Sequence, residues 1–327
     1  LEKQTSRLKN PSEIVFKEVG CHGVAEAAAL AAVGKSGYLR VPKVKSILTP
    51  DQGRATCAIA ESSSVLIASD IGKSQGILYV VGTGPGNYDL RLPLSIEMLS
   101  KATDWVGYSK YLDLISDLQI DQNMHCFSLG EEKKRVEFAI DLASQGKIVA
   151  LVSSGDPGIY AMASLVFELL ENGNPEWKSI RIEISPGISA FQAASSRIGA
   201  PLGHDFCAIS LSDLLTPWKK IENRIIAAAE GDFVIAFYNP VSMRRKIQLA
   251  NAKDILLQYR NPETPVVIAR NLGRRGENIN IITLEKLDAN EVDMLTIVLV
   301  GSRQTRTLRF PSGEKKVFTP RGYTDKL

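Results

Sequence analysis

The chain has 327 residues, 44% apolar and 23% charged, enough to bury a sizeable core and to build two or three compact lobes. Lysine and arginine exceed aspartate and glutamate by 39 to 36, and the surplus lies in the first 75 residues; the remaining balance of 29 against 29 lacks the basic excess of a nucleic-acid-binding surface. Apolar runs such as Met294 to Val300 fall far short of the about 20 residues that span a bilayer, and Leu1 to Pro11 is too polar for a signal peptide.

Cys21, Cys57, Cys126 and Cys207 form no C-x-x-C pair, which removes zinc and iron–sulfur spacings and fits a reduced, cytoplasmic protein. In chain order, Val24 to Val33 reads as an alanine-rich helix, and Tyr38 to Val41 and Arg54 to Ala60 as short strands. A piece this small is marginal alone. The polar stretch at residues 70 to 76 reads as a linker.

Strand and helix then alternate. Strands are predicted at Ile77 to Gly82, Trp105 to Tyr108, Met124 to Leu129, Lys147 to Ser153 and Ile180 to Ser185. Helices are predicted at Leu94 to Ala102, Glu131 to Gln145, Ile159 to Glu171 and Ser189 to Ile198. A second half adds strands at Phe206 to Leu211, Phe233 to Tyr238, Val266 to Arg270 and Leu295 to Gly301, with helices at Trp218 to Glu230 and Met243 to Tyr259. The order predicts an α/β fold of two αβα lobes meeting near Pro186, with a ligand cleft between them. His125 and Cys126 fall inside a strand and read as core.

Three of the apolar strands end in small residues. Val80-Val-Gly-Thr-Gly-Pro-Gly86 misses a dinucleotide fingerprint, since its sixth position is Asn87 and Pro85 has no amide to face phosphate. Asp104 has about the spacing of a ribose-binding acid but precedes its strand. The plainer reading is a tight strand-to-helix turn. Ser153-Ser-Gly-Asp-Pro-Gly-Ile-Tyr160 sets a carboxylate and exposed backbone at a strand's C-terminal end, although Asp156 also suits a helix cap followed by Pro157. Ser185-Pro-Gly-Ile-Ser-Ala190 repeats the arrangement, with Ser189 either a wall or an N-cap. Such walls let a zwitterionic, adenosine-bearing ligand press on backbone groups without a triphosphate grip. Two Gly-Lys-Ser tripeptides, at Gly34 and Gly72, lack the upstream glycine of a P-loop. No G-x-S-x-G or H-E-x-x-H occurs.

Ile77-Leu-Tyr-Val-Val-Gly-Thr-Gly-Pro-Gly86, Ser154-Gly-Asp-Pro-Gly-Ile-Tyr160 and Pro186-Gly-Ile-Ser-Ala190, in that order and spacing, resemble the tetrapyrrole (corrin/porphyrin) methyltransferases, which use S-adenosylmethionine. Gly199-Ala-Pro-Leu-Gly-His-Asp-Phe206, Leu211-Ser-Asp-Leu-Leu-Thr-Pro-Trp218, Phe237-Tyr-Asn-Pro240 and Arg270-Asn-Leu-Gly-Arg274 look like the precorrin-3B C17-methyltransferase branch of cobalamin synthesis. The resemblance covers about residues 76 to 327. It implies two lobes, 76–187 and 188–327, with the active-site cleft between them. Residues 1–75, from Lys9-Asn-Pro-Ser-Glu-Ile-Val-Phe16 to Val41-Pro-Lys-Val-Lys45, resemble the C-terminal end of the cobalt-precorrin-5A hydrolase. Without the rest of that domain they are not expected to be catalytic.

The resemblance implies methylation at C17 of precorrin-3B or cobalt-factor III/cobalt-precorrin-3 with ring contraction, any cobalt arriving in the substrate rather than on protein ligands, and a homodimer. It sets the cofactor against Gly155, Asp156, Pro157, Ser189, Ala190, Tyr238, Asn239, Ala269, Arg270 and Asn271, and turns Gly82, Gly84, Pro85 and Gly86 toward the macrocycle. Arg270 is either a surface charge or a clamp on substrate carboxylates. Ring contraction needs proton movement, for which His204 and Asp205 are the local candidates, each with a structural alternative. Asp213 would orient a substrate group or cap the next helix. The rival functions are methylation at another ring carbon, a noncatalytic corrinoid-binding module and a nicotinamide oxidoreductase.

Overall fold

The computed structural model describes residues 1–46, 55–67, 71–72, 74–242 and 245–323. It divides into two compact units, Leu1–Ser74 and Gln75–Leu327. Parts of the expected linker, with Arg54 and Met243 at the ends of two expected elements, lie outside the described residues.

In the first unit, α1 (Glu13–Val19) starts where the Ser12 hydroxyl accepts from the Val15 amide and stops at Gly20, whose φ of 68° is open to glycine. Helix α2 (Val24–Val33) buries Ala27, Leu30 and Val33. Strands β1 (Tyr38–Lys45) and β2 (Thr56–Glu61) pair antiparallel, with Tyr38 opposite Glu61. Helix α1 was not expected from the sequence, and β1 runs four residues further than expected, through Pro42.

The unit is knitted together by Glu26, a carboxylate buried in α2. It accepts from the amides of Lys9, Asn10 and Lys43 at 2.7, 3.0 and 2.8 Å and from Asn10 Nδ2 at 2.7 Å. Burial raises the carboxyl's pKa, but the Lys43, Asn10 and Lys9 donors outweigh it and bring it down to about 2. A depressed carboxylate stabilises the fold above its unfolded pKa, so this contribution is present above about pH 4.5 and is lost as pH falls toward 2. Glu26→Ala strands those donors and is expected to destabilise the unit by about 2–4 kcal/mol at neutral pH. Hydrogen exchange of peptides spanning residues 1–46 in the full chain measures it; unchanged protection would refute the role.

The second unit carries two five-stranded sheets. The first contains β3 (Ile77–Gly82), β4 (Asp104–Tyr108), β5 (Asn123–Phe127), β6 (Ile148–Ser153) and β7 (Arg181–Ser185). All are parallel, in the order β5-β4-β6-β3-β7. Alternation along β3 and β6 feeds two cores. Leu78, Val80, Val149 and Leu151 face α5 (Glu132–Ser144) and α6 (Met162–Asn172), while Tyr79, Val81, Ala150 and Val152 face α3 (Pro93–Lys101) and α4 (Ser109–Asp113). Strand β5 lies at the edge, so Cys126 is exposed rather than core. His125 is only partly buried, with Nε2 2.9 Å from the buried Asp104 carboxylate.

After β7 the chain crosses to the second sheet. There α7 (Ala190–Ile198) packs Phe191, Ala194 and Ile198 against Ala236, Val267 and Leu299. Strand β8 (Gly199–Ala200) follows. The sheet contains β9 (Phe206–Ser210), β10 (Val234–Tyr238), β11 (Pro265–Arg270), β12 (Asn278–Thr283) and β13 (Thr296–Val300), in the order β12-β11-β13-β10-β9. Strands β9, β10 and β11 run one way, β12 and β13 the other. Helices α8 (Trp218–Glu230) and α9 (Gln248–Leu257) cover its other face through Ile221, Ile225, Leu249 and Leu256. Strands β14 (Arg306–Arg309) and β15 (Lys315–Phe318) form a hairpin whose second strand pairs with β8. β12 and this hairpin were not expected.

Candidate active site

The carboxyl ends of the first sheet, the C-termini of β10 and β11 and the N-terminus of β13 open onto one cavity of about 330 Å³, within the usual range of small-molecule sites. Its walls are the three glycine loops and their counterparts in the second sheet. Why those loops are small is visible in their contacts. A Cβ on Gly82 would lie 2.7 Å from the Gly155 carbonyl oxygen and 2.9 Å from the Gly187 amide, and one on Gly187 would collide with the same oxygen. Gly84 and Gly155 exchange amide hydrogen bonds of 3.3 and 2.7 Å. Gly86 faces Gly273 across the two sheets: a Cβ on Gly86 would sit 2.9 Å from the Gly273 carbonyl, and one on Gly273 2.9 Å from the Asn87 amide. The glycines are there because backbone meets backbone.

Asp156 fastens this joint. One carboxylate oxygen accepts from the Gly158 amide at 2.8 Å and the other from Gly187 at 3.0 Å. It does not cap α6, which begins at Met162 after Ala161, later than expected because Tyr160 holds a left-handed φ of 52°. Ser189 is the N-cap of α7, its amide and hydroxyl donating to Gln192 Oε1 at 3.0 and 2.9 Å. Of the four non-glycine residues with positive φ among those described, Tyr160, Asn239 and Asn271 line the cavity. Such strain gathers where a site is over-determined by its surroundings.

Among the residues expected at the cofactor, Gly155, Asp156, Ser189, Ala190, Tyr238, Asn239, Ala269 and Asn271 line the cavity. Pro157 lies behind the wall, its ring against the position a Gly82 Cβ would take. Arg270 points away; it is half-exposed and ion-paired with Asp293 at 2.7 Å. From the opening loop only Pro85 reaches the cavity surface, while Gly82, Gly84 and Gly86 make the joint behind it. The Tyr238 hydroxyl is buried beside Ser189 without a hydrogen-bond partner of good geometry, and burial pushes its pKa up.

His204 and Asp205 are not brought to the cavity. They stand at the amino end of β9, about 16 Å along the strand from the end that opens toward it. His204 Nδ1 accepts from the Asp205 amide at 2.8 Å. Asp213 is exposed, accepts from Gln248 Nε2 at 2.8 Å, and does not cap α8, whose N-cap is Pro217. Among the described lining residues there is no cysteine or histidine.

Two arginines in the lining had no site role assigned from the sequence. Arg274 donates from Nε to the Pro85 carbonyl and from Nη2 to Ser154 Oγ, both at 2.8 Å, and sits 5.8 Å over the Tyr111 ring. Arg135, 3% exposed, donates from Nη2 to the Ser128 carbonyl at 3.0 Å, and its Nε is buried without a partner. Burial lowers the pKa of both guanidiniums, with Glu132 opposing the shift at Arg135 and Tyr111 opposing it at Arg274.

With this geometry, the comparisons with known proteins agree over the second unit. The family model for tetrapyrrole (corrin/porphyrin) methylases matches residues 77–288, and that for the cobalamin synthesis G C-terminus matches residues 1–60. The precorrin-3B C(17)-methyltransferase of a Sinorhizobium species is 45% identical over 248 residues, covering 76% of this chain and 97% of that one. The probable cobalt-factor III C(17)-methyltransferase of Salmonella typhimurium is 43% identical over 248 residues, 76% of this chain and 100% of that one. The crystal structure of the methyltransferase CobJ is similar with a TM-score of 0.70 and 41% identity, covering 75% of this chain and 100% of that one.

Proposed function

Because the chain belongs to the tetrapyrrole (corrin/porphyrin) methylases, we propose that its cavity brings S-adenosylmethionine and a flat tetrapyrrole together for methyl transfer. The reaction is that of a C17-methyltransferase of cobalamin biosynthesis, on precorrin-3B or its cobalt-bearing counterpart cobalt-factor III. Ring contraction accompanies it on this reading, and any cobalt belongs to the substrate.

The observation that carries the reading is the joint of Gly82, Gly155 and Gly187, which walls a cavity with main chain and keeps Tyr238 in its lining. The partly exposed loop residues Gly155 and Ala190, with Ser189 and Tyr238 in the same lining, fit a polar ligand bearing a nucleoside. Bound there, S-adenosylmethionine supplies an electrophilic methyl on a sulfonium. The protein's part is then placement: the loops fix the donor, the tyrosines beside β4 flank the acceptor, and the closed wall keeps water away. A side-chain nucleophile is not required, because the sulfonium is itself the leaving group.

Tyr238→Phe removes a buried hydroxyl that lies beside the Ser189 side chain and the Phe191 backbone. It is expected to change the stability of the free protein by no more than about 1 kcal/mol and to weaken adenosylhomocysteine by about 3- to 10-fold, read by calorimetry. Equal affinity would detach Tyr238 from the cofactor.

Incubation with methyl-labelled S-adenosylmethionine and cobalt-factor III, followed by mass and NMR analysis of the macrocycle, tests the whole reading. Label at C17 is the expected result. Label on another ring carbon overturns the position, and label that stays on the donor makes the chain a binding module.

The even charge balance of residues 76–327 supports a small-molecule rather than a nucleic-acid partner, and four free cysteines support a reducing, cytoplasmic setting. No helix among the described residues is long and apolar enough to cross a membrane. The homodimer is a further part of the proposal, supported by the exposed apolar pair Leu214 and Leu215. Residues 1–75 are read as a hydrolase-like segment without chemistry of its own, and 76–187 and 188–327 as the two lobes that share the cleft.

A further inference from the structure

The two ends of the cavity differ in charge, and sheet order fixes which is which. Strands β4 and β5 form one edge of the first sheet and β7 the other, so β4 and β7 stand three strand spacings, about 14 Å, apart. Ser189 and Ala190 follow β7. Tyr108 ends β4, Tyr111 lies in the helix after it, and Arg135 lies in the helix after β5. Arg274 joins this second group from the other sheet, through its contacts with Tyr111, Pro85 and Ser154.

Arg135 is a buried cation and Arg274 a half-buried one, and Glu132 and Glu131 ease the charge of Arg135 from beyond ion-pair distance. Neither is ion-paired with a carboxylate among the described residues; their partners are carbonyls, a serine hydroxyl and the Met162 sulfur. Of the two acids in the same lining, Glu132 has Oε1 engaged by the Gly130 amide at 3.0 Å, and Asp156 is held by the Gly158 and Gly187 amides. Burying a charge is unfavourable unless an opposite charge or strong acceptors meet it. Arg135 Nε has no acceptor, and Arg274 Nη1 donates to no described residue.

We propose that Arg135 and Arg274 form a paired anchor for the peripheral carboxylates of the macrocycle, and so set which tetrapyrroles enter and how they are turned toward the donor. The inference rests on the methyltransferase reading and deepens it. A guanidinium meets a carboxylate through parallel N–H donors, which specifies direction as well as charge. Two such points, one on each sheet, stop a flat ring from rotating in its plane. Arg274 does this from a residue already locked to Pro85 and Ser154, so the anchor on the second sheet is held in register with the opening loop of the first.

The anchor is a specificity device, and binding reads it without turnover. The probes are uroporphyrin III, an octacarboxylic tetrapyrrole, its uncharged octaamide, and adenosylhomocysteine. The wild-type protein is expected to prefer the acid to the amide and to lose that preference as salt is raised. Arg135→Gln and Arg274→Gln are each expected to weaken uroporphyrin by about 10- to 100-fold while leaving the octaamide and adenosylhomocysteine within about threefold. Lysine at either position should recover part of the loss.

Equal wild-type affinity for acid and amide, or Gln variants that keep wild-type affinity for uroporphyrin, would overturn the anchor. A parallel fall in adenosylhomocysteine affinity in well-folded variants would assign the arginines to the donor's carboxylate instead and overturn it as well. If a Gln variant does not fold, the Lys variant and the wild-type salt titration decide alone: salt-independent binding of uroporphyrin refutes the proposal. Failure of methyl transfer with the acid preference intact would sink the reaction and leave the anchor standing.

Discussion

Gly187→Ala is expected to yield a protein that no longer binds adenosylhomocysteine measurably and that unfolds well below the wild-type temperature. The new methyl group would be driven into the Gly155 carbonyl oxygen, with the Gly82 backbone 3.0 Å away. Neither neighbour is a side chain that can turn aside. Relief demands moving the loop after β6, which is tied to Gly84 by two amide hydrogen bonds. Overpacking of this kind costs about 1–3 kcal/mol where a core can yield, and more where the obstacle is main chain.

Gly155→Ala is the control. Its nearest obstacle is Ser189 Cα at 3.8 Å, so the methyl fits, and the penalty is that of an alanine at a φ of 69°, about 1–2 kcal/mol. Differential scanning calorimetry with and without adenosylhomocysteine separates the two. If Gly187→Ala melted and bound like Gly155→Ala, the joint would not be the element that shapes the cavity.

Asp156→Ala is expected to weaken adenosylhomocysteine by about 30- to 300-fold, with a smaller loss of stability, because the carboxylate's two oxygens hold two different loops. Without it the Gly187 amide loses its acceptor and the third loop is free to drift from the second. Asp156→Asn should fall between, since its amide oxygen satisfies one donor and its NH₂ confronts the other. Calorimetric titration reads both variants. Binding of wild-type strength by Asp156→Ala would return this residue to a local turn former.

Much of the fold was legible because it follows from periodicity. The alternation of strands and helices, the three strand ends and the crossover near Pro186 all lie in local pattern. The missed strand β12 was legible too: Ile279 and Ile281 alternate with asparagines, but the polar half of the pattern read as loop. The hairpin of β14 and β15 left less to see, since Arg306–Arg309 is exposed throughout.

The site was read less well, for two physical reasons. His204 and Asp205 were chosen by residue type, yet they precede β9 and therefore stand at its amino end, while open sheets bind at the carboxyl end. Arg135 sits in Glu131-Glu-Lys-Lys-Arg135, which looks like a solvated helix face. Its spacing says otherwise, as 135, 139 and 142 share one stripe and Ala139 and Leu142 are core. Arg274 closes the quoted Arg270-Asn-Leu-Gly-Arg274 motif, but its place in the lining was not legible there, because what fixes it comes from another sheet. Whether Arg270 is a surface charge or a clamp turns on Asp293, which is adjacent in space and holds it in an ion pair.

The meeting of Gly86 with Gly273 bears on how ligands come and go. A hinge lined with side chains can swing by letting rotamers hop, but a seam of bare peptide offers no such intermediate steps. With the seam fixed, exchange is expected to pass the exposed lining residues Leu129 and Met294, and a slow step in release to lie there rather than in a parting of the halves.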